Sequence, residues 1–141
     1  MKKKKKISAR KLIKSLRNRA KKLWRQRVLE RWNNKCVICG STKLPNCHHI
    51  VPKETFILLR YDPINGIVLC PKHHKFNKFS AHKNPLWFVS MLVKLMKAHE
   101  LEHLLTTMEK IVPFEYKLGV NEYIQIIDNL NKESKDGKKI S

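Results

Sequence analysis

From Arg10 to Trp32 the apolar residues Leu12, Leu16, Ala20, Leu23, Trp24, Val28 and Trp32 recur at steps of mostly three and four. That period predicts one helix with a single buried stripe and a wide polar face. Ser8 stands where an N-cap belongs, and Asn33-Asn34 is the stop signal. Residues 36–50 lose the period and are rich in Cys, Gly, Pro and Asn, which predicts a tight knuckle running into a short strand. Gly66-Ile67-Val68-Leu69-Cys70 predicts a second strand, preceded by turn signals at Asp62-Pro63 and Asn65-Gly66. Lys72 to Ser80 reads as a short helix. Pro85 suits the first turn of a longer one carrying Leu86, Val89, Leu92, Val93 and Met96. Helical segments are also expected over Leu101–Ile111 and Glu122–Leu130, with a frayed tail from Ser134. The order is helix, then β, β, α, then more helices: an α+β chain.

Composition narrows the partners. The 141 residues suit one domain with appendages, and a 42% hydrophobic content supports a modest core. No apolar run is long enough for a membrane span, since Leu86 to Val93 is already broken by Ser90. The Lys2–Lys6 run has the charge of an export signal's head, but Ser8, Arg10, Lys11 and Lys14 follow where an apolar stretch is needed. A cytoplasmic location is therefore expected. The net charge of +20 is uneven: residues 1–35 carry +15, residues 36–84 carry +5, and residues 85–141 are neutral. Three regions follow: a basic arm and helix (1–35), a central core (36–84) and a helical tail (85–141). A surplus of this size points to a phosphate polyanion. Lys14, Arg17, Lys21 and Arg25, on the polar face of the first helix, are the nucleic-acid-binding candidates.

The chemistry is concentrated in the middle. Cys36-x-x-Cys39-Gly is a two-thiolate knuckle, and Cys70-x-x-His73 follows 31 residues after Cys39. Together they offer three thiolates and an imidazole, a tetrahedral set that suits a structural Zn²⁺. Cys47 competes with His73 for the fourth place. A second group is His48-His49, Asn65 and His74. Neighbours on a strand point to opposite faces, so His48 and His49 have different jobs. Neighbours on a helix differ by about 100°, so His73 can serve the zinc while His74 turns toward His48. Asn77 and His82, one and two helical turns beyond His74, could add a third ligand in some arrangements, but a surface position is the expectation for both. His99 and His103, spaced i and i+4, are expected on an exposed helix face.

The stretch from Cys36 to about Asn77 resembles the HNH endonucleases of the ββα-metal fold. The likeness is carried by Cys36-x-x-Cys39, His48-His49-Ile50-x-Pro52, Asn65-Gly66-Ile67-Val68-Leu69-Cys70 and Cys70-x-x-His73-His74. Family members usually have Cys at the position of His73 and often Asp at that of His48. The resemblance implies a small ββα-metal core with zinc knuckles, between a basic helix and C-terminal helices. It implies His49 as general base, Asn65 as orienting residue, and His48 and His74 as ligands of a catalytic divalent ion, Mg²⁺ or Mn²⁺, with Ni²⁺ or Zn²⁺ as alternatives. The implied reaction is hydrolysis of double-stranded DNA to 5′-phosphate and 3′-hydroxyl ends, in a phage, mobile-element or restriction setting. Two further readings stand beside it. One is a non-catalytic zinc-ribbon nucleic-acid-binding protein. The other is a homodimer formed through the apolar surface of Leu86–Met96.

Overall fold

The structure, a computed structural model, describes residues 7–110, 112–113 and 116–136. The Lys2–Lys6 run and the residues after Asp136 lie outside the described residues. Helix α1 (Ala9–Arg31) leads to strands β1 (Asn46–His49) and β2 (Gly66–Leu69), then to helices α2 (Pro85–Leu95), α3 (Ala98–Met108) and α4 (Val120–Asp136). The small two-stranded sheet among helices is the expected α+β class. The chain divides into two compact units, Arg25–Ile111 and Met1–Trp24 with Val112–Ser141.

α1 begins and ends where its sequence signals stand. The Ser8 hydroxyl accepts from the Lys11 N–H (3.4 Å), filling one of the orphan donors of the first turn. At the other end Asn33 and Asn34 both take left-handed backbone (φ 52° and 56°), which asparagine tolerates better than most residues. Ala20, Trp24 and Val28 are buried, while Lys14, Arg17, Lys21 and Arg25 are exposed. Among the described residues of the smaller unit, Ala20 and Trp24 on α1 and Tyr123, Ile127 and Leu130 on α4 are the buried apolar ones. The α4 backbone stays helical through Ser134 to Asp136, where fraying was expected.

The unit Arg25–Ile111 is built around β2, which is buried at all four positions. β1 pairs with it antiparallel, Asn46 opposite Leu69 and His49 opposite Gly66. The Val37 N–H donates to the Val68 carbonyl (3.0 Å), and the Trp32 indole to the Gly66 carbonyl (2.9 Å). A two-stranded sheet is marginal alone. Here Ile67 and Leu69 pack in one core with Leu59, Phe88, Leu92, Met96 and Leu104. α3 packs on the tight turns Ile57–Leu59 and Pro63–Asn65 that precede β2. Its Glu100 accepts from Arg31 (2.8 Å), and its His103 meets Asp62 (2.6 Å).

Two expectations about helices are corrected. Lys72–Ser80 is not a continuous helix: one wide turn, Lys72–Phe76, closes with the Asn77 N–H donating to the Lys72 carbonyl five residues back. Asn77 then turns extended (ψ 154°), and the chain folds over itself, Ala81 N–H to the His73 carbonyl and His82 N–H to the His74 carbonyl. Asn77, Ser80 and the aromatics Phe76 and Phe79 hold a helix weakly, so a competing set of hydrogen bonds wins. α2 is where Pro85 placed it, but its inward face is Phe88, Leu92 and Met96. Leu86, Val89 and Val93 point to solvent, 82%, 54% and 63% exposed. The helix is apolar on nearly every side, so periodicity could not choose the face. No helix among the described residues is long and apolar enough to cross a membrane.

Candidate functional site

Two clusters of metal-ligating side chains stand on the core of the larger unit. In the first, the ligand atoms of Cys36, Cys39, Cys70 and His73 all lie within 4.8 Å of one another. Gly40 makes the knuckle possible: it takes φ +72° and its N–H donates to the Cys36 carbonyl (2.8 Å). A tetrahedral zinc with bonds of about 2.3 Å to sulfur and about 2.0–2.1 Å to nitrogen separates its ligands by about 3.6–3.8 Å. The observed edges are 3.8 Å for Cys39–Cys70 Sγ, 3.6 Å for Cys36 Sγ–His73 Nδ1 and 3.3 Å for Cys70 Sγ–His73 Nδ1. The cluster fits a structural zinc with four protein ligands. Burial raises the Cys36 pKa, but the backbone N–H groups of Cys70, Cys39 and Ile38 outweigh it and bring the thiol below its ordinary value. Cys36 is thereby biased toward the thiolate that zinc binds. Cys47 is outside the cluster; its Sγ lies 3.6 Å from the Arg25 carbonyl.

The second cluster is His48, His74 and His82, again with ligand atoms within 4.8 Å. The Nε2 atoms of His74 and His82 are 3.2 Å apart. Burial above all, then the neighbouring His74 and His82, hold the His48 pKa at about 3. Burial, His82 and Lys75 also lower His74. Both imidazoles are therefore neutral at pH 7, the form that donates to a metal. Three converging imidazoles could hold one divalent ion.

α2 backs both clusters with consecutive residues. Trp87 stacks on His73 (6.3 Å between centroids, 25°), and Phe88 meets His48 edge to face (5.4 Å, 81°). The Asn84 side chain caps this helix by accepting from the Trp87 N–H (3.0 Å).

His49 lies on the other face of β1, as strand alternation requires. Its Nε2 is 2.9 Å from the Arg60 carbonyl oxygen. That oxygen can only accept, so the proton sits on Nε2 and Nδ1 carries the lone pair. Burial lowers the His49 pKa, while the Arg60 carbonyl partly restores it, so the ring is neutral at pH 7.

Asn65 explains the angle of that ring. It is fully buried, and its Oδ1 accepts from the Val51 N–H (2.6 Å). Its Nδ2 donates to the carbonyls of Val51 and Leu59, each at 3.0 Å. One side chain thus joins the segment just after His49 to the segment just before Arg60, whose carbonyl holds His49. Asp62 supports it by accepting from Ile64 N–H (2.8 Å), and His103 in turn meets Asp62. Asn65→Ala strands the Val51 N–H and carbonyl, at about 1 kcal/mol each or more, while the Leu59 carbonyl keeps the Asp62 N–H (3.3 Å). The expected result is a loss of about 2 kcal/mol in urea unfolding; a loss below about 1 kcal/mol would show that water or rearrangement satisfies them.

The structure brings His48 together with His74 and leaves His49 out of their cluster. It adds His82, which was expected at the surface two helical turns from His74. Eight residues of continuous helix would have carried His82 about 12 Å along the axis; the fold-back after Asn77 returns it. The signal available in the sequence was Asn77-Lys-Phe-Ser80, a poor helical stretch between the two histidines. Asn77 is exposed and outside both clusters, and His99 is exposed. His103 is not simply on a free face, since it pairs with Asp62.

Comparison with known proteins finds one family. Residues 36–80 match the model described as HNH endonuclease. No curated protein and no solved structure matches the chain.

Proposed function

We propose, from the match of residues 36–80 to an HNH endonuclease family model, that the protein is a metal-dependent DNA endonuclease. The observation that carries this reading is the pairing of a three-histidine cluster with His49, whose tautomer is set by the Arg60 carbonyl. A zinc knuckle needs neither.

In the proposed reaction His49 Nδ1 accepts a proton from water as the water oxygen bonds to phosphorus. The bond from phosphorus to the 3′ oxygen breaks, leaving a 5′-phosphate and a 3′-hydroxyl. Asn65 holds His49 at its working angle through Val51 and Leu59; a displacement of about 1 Å can cost about 100-fold in rate. His48, His74 and His82 would hold a divalent ion, which would supply Lewis-acid stabilisation of the charge that builds in the transition state. Imidazole ligands favour Ni²⁺ and Zn²⁺ over Mg²⁺, with Mn²⁺ between. The exposed Lys14, Arg17, Lys21 and Arg25 supply salt-sensitive affinity for double-stranded DNA with little sequence preference.

Incubating supercoiled plasmid with the zinc-loaded protein and, in turn, Mg²⁺, Mn²⁺, Ni²⁺ or added Zn²⁺ tests the reading. Conversion to nicked or linear DNA with at least one ion, and less with Mg²⁺ than with Ni²⁺, is expected. Binding without conversion under every ion would leave the non-catalytic zinc-ribbon reading in its place.

A further inference from the structure

Between the two clusters runs Lys72–Lys83, a segment with its own surface chemistry. Lys72, Lys75, Lys78 and Lys83 are all exposed, and no acidic residue occurs from Pro63 to His99. Among these lysines are two exposed aromatics: Phe76, with 71% of its surface open to water, and Phe79, 44% open. Both are within five residues of His74. Phe76 is two residues from it, a reach of at most about 7 Å along the chain.

The two rings differ in support. Phe79 leans on Trp87 (5.9 Å between centroids) and carries the Lys78 ammonium 5.3 Å from its centre. Phe76 presents its ring outward while its backbone is anchored, the Lys83 ammonium donating to its carbonyl (3.0 Å). A phenyl ring open to water, in a segment with four exposed lysines and two residues from His74, is matched by one kind of surface. That surface is a nucleobase attached to a polyanionic backbone. Stacking of a base on an aromatic side chain is insensitive to sequence and strong enough to change affinity by about tenfold or more. A base inside a duplex is already stacked on its neighbours and cannot offer its face without being pulled out. An unpaired base can.

We propose that Phe76 stacks on an unpaired base beside the scissile phosphate, so that the protein selects DNA containing a bulge, mismatch or single-stranded gap. This rests on the nuclease reading and specifies its substrate class. Lys72, Lys75 and Lys78 hold the flanking phosphates, and Phe79 with Trp87 supports the turn that presents Phe76.

Fluorescence anisotropy with zinc-loaded protein and no added divalent ion tests the proposal. Two labelled duplexes of the same sequence are compared, one fully paired and one with a single-base bulge. The wild type is expected to bind the bulged duplex about tenfold more tightly. Phe76→Ala should bring that ratio close to one, whereas Phe76→Trp should keep it. A wild-type ratio near one, or a ratio unchanged in Phe76→Ala, overturns the proposal even when plasmid is cleaved normally. A preserved ratio with no cleavage of any substrate overturns the nuclease reading instead and leaves base stacking standing.

Discussion

Replacing His49 with Ala is expected to lower the rate of plasmid cleavage by about 10²–10⁴-fold while DNA binding and zinc content stay at wild-type levels. The size follows from the loss of a positioned general base; the survival of the fold follows from where the ring sits. His49 is half-buried on the face of β1 away from the histidine cluster, and its Nε2 bonds to the Arg60 carbonyl. The pH dependence has a definite sign. Burial holds the His49 pKa below its ordinary 6.5, so the neutral, proton-accepting ring predominates at pH 7. With metal saturating, activity should be level near neutrality and fall only as pH drops through that lowered pKa, placing the acid limb below pH 6.5. A reduction of less than about tenfold in His49→Ala, with zinc and melting unchanged, would remove His49 from the role of base.

Cys70→Ser is expected to produce the largest structural effect: loss of bound zinc and of cooperative unfolding in the Arg25–Ile111 unit. Cys70 follows β2 directly and is buried, and with Cys36 it belongs to the hydrophobic core. The cluster closes the chain between Cys39 and Cys70, which contains β1, both tight turns and β2. A sheet of two four-residue strands contributes too little by itself, while a structural zinc site contributes on the order of 10 kcal/mol of folding free energy. Elemental analysis for zinc and thermal unfolding by circular dichroism check this directly. A Cys70→Ser protein that melts cooperatively at the wild-type temperature would show that the cluster is not what holds the unit together. Cys47→Ser is the internal comparison. That thiol lies outside the cluster against the Arg25 carbonyl, so its zinc content should match the wild type.

The sequence alone determined the parts governed by local rules. A three-to-four step of apolar residues and the Ser8 and Asn33-Asn34 signals located α1 to within a residue at each end. Turn residues and a short apolar run located β2. Strand alternation separated His48 from His49, and helical rotation separated His73 from His74, because side-chain direction is a property of the local backbone. Paired two-residue spacings named the zinc ligands, leaving only Cys47 against His73 undecided.

What the tertiary structure decided were choices between local alternatives of similar energy. His73 takes the fourth place in the cluster because its Nδ1 converges with Cys36 and Cys70, while Cys47 is carried away by the strand it lies on. α2 turns Phe88, not Val89, to the core, since only packing against β2 and His48 distinguishes two apolar faces. His82 joins His48 and His74 because the chain leaves its helical path at Asn77 and bonds back to His73 and His74. Spacing along a sequence measures distance only while the secondary structure is known. Once a weak helix gives way to a fold-back, residues eight apart become neighbours, and the choice of His82 over Asn77 as third member of the cluster is made only in three dimensions.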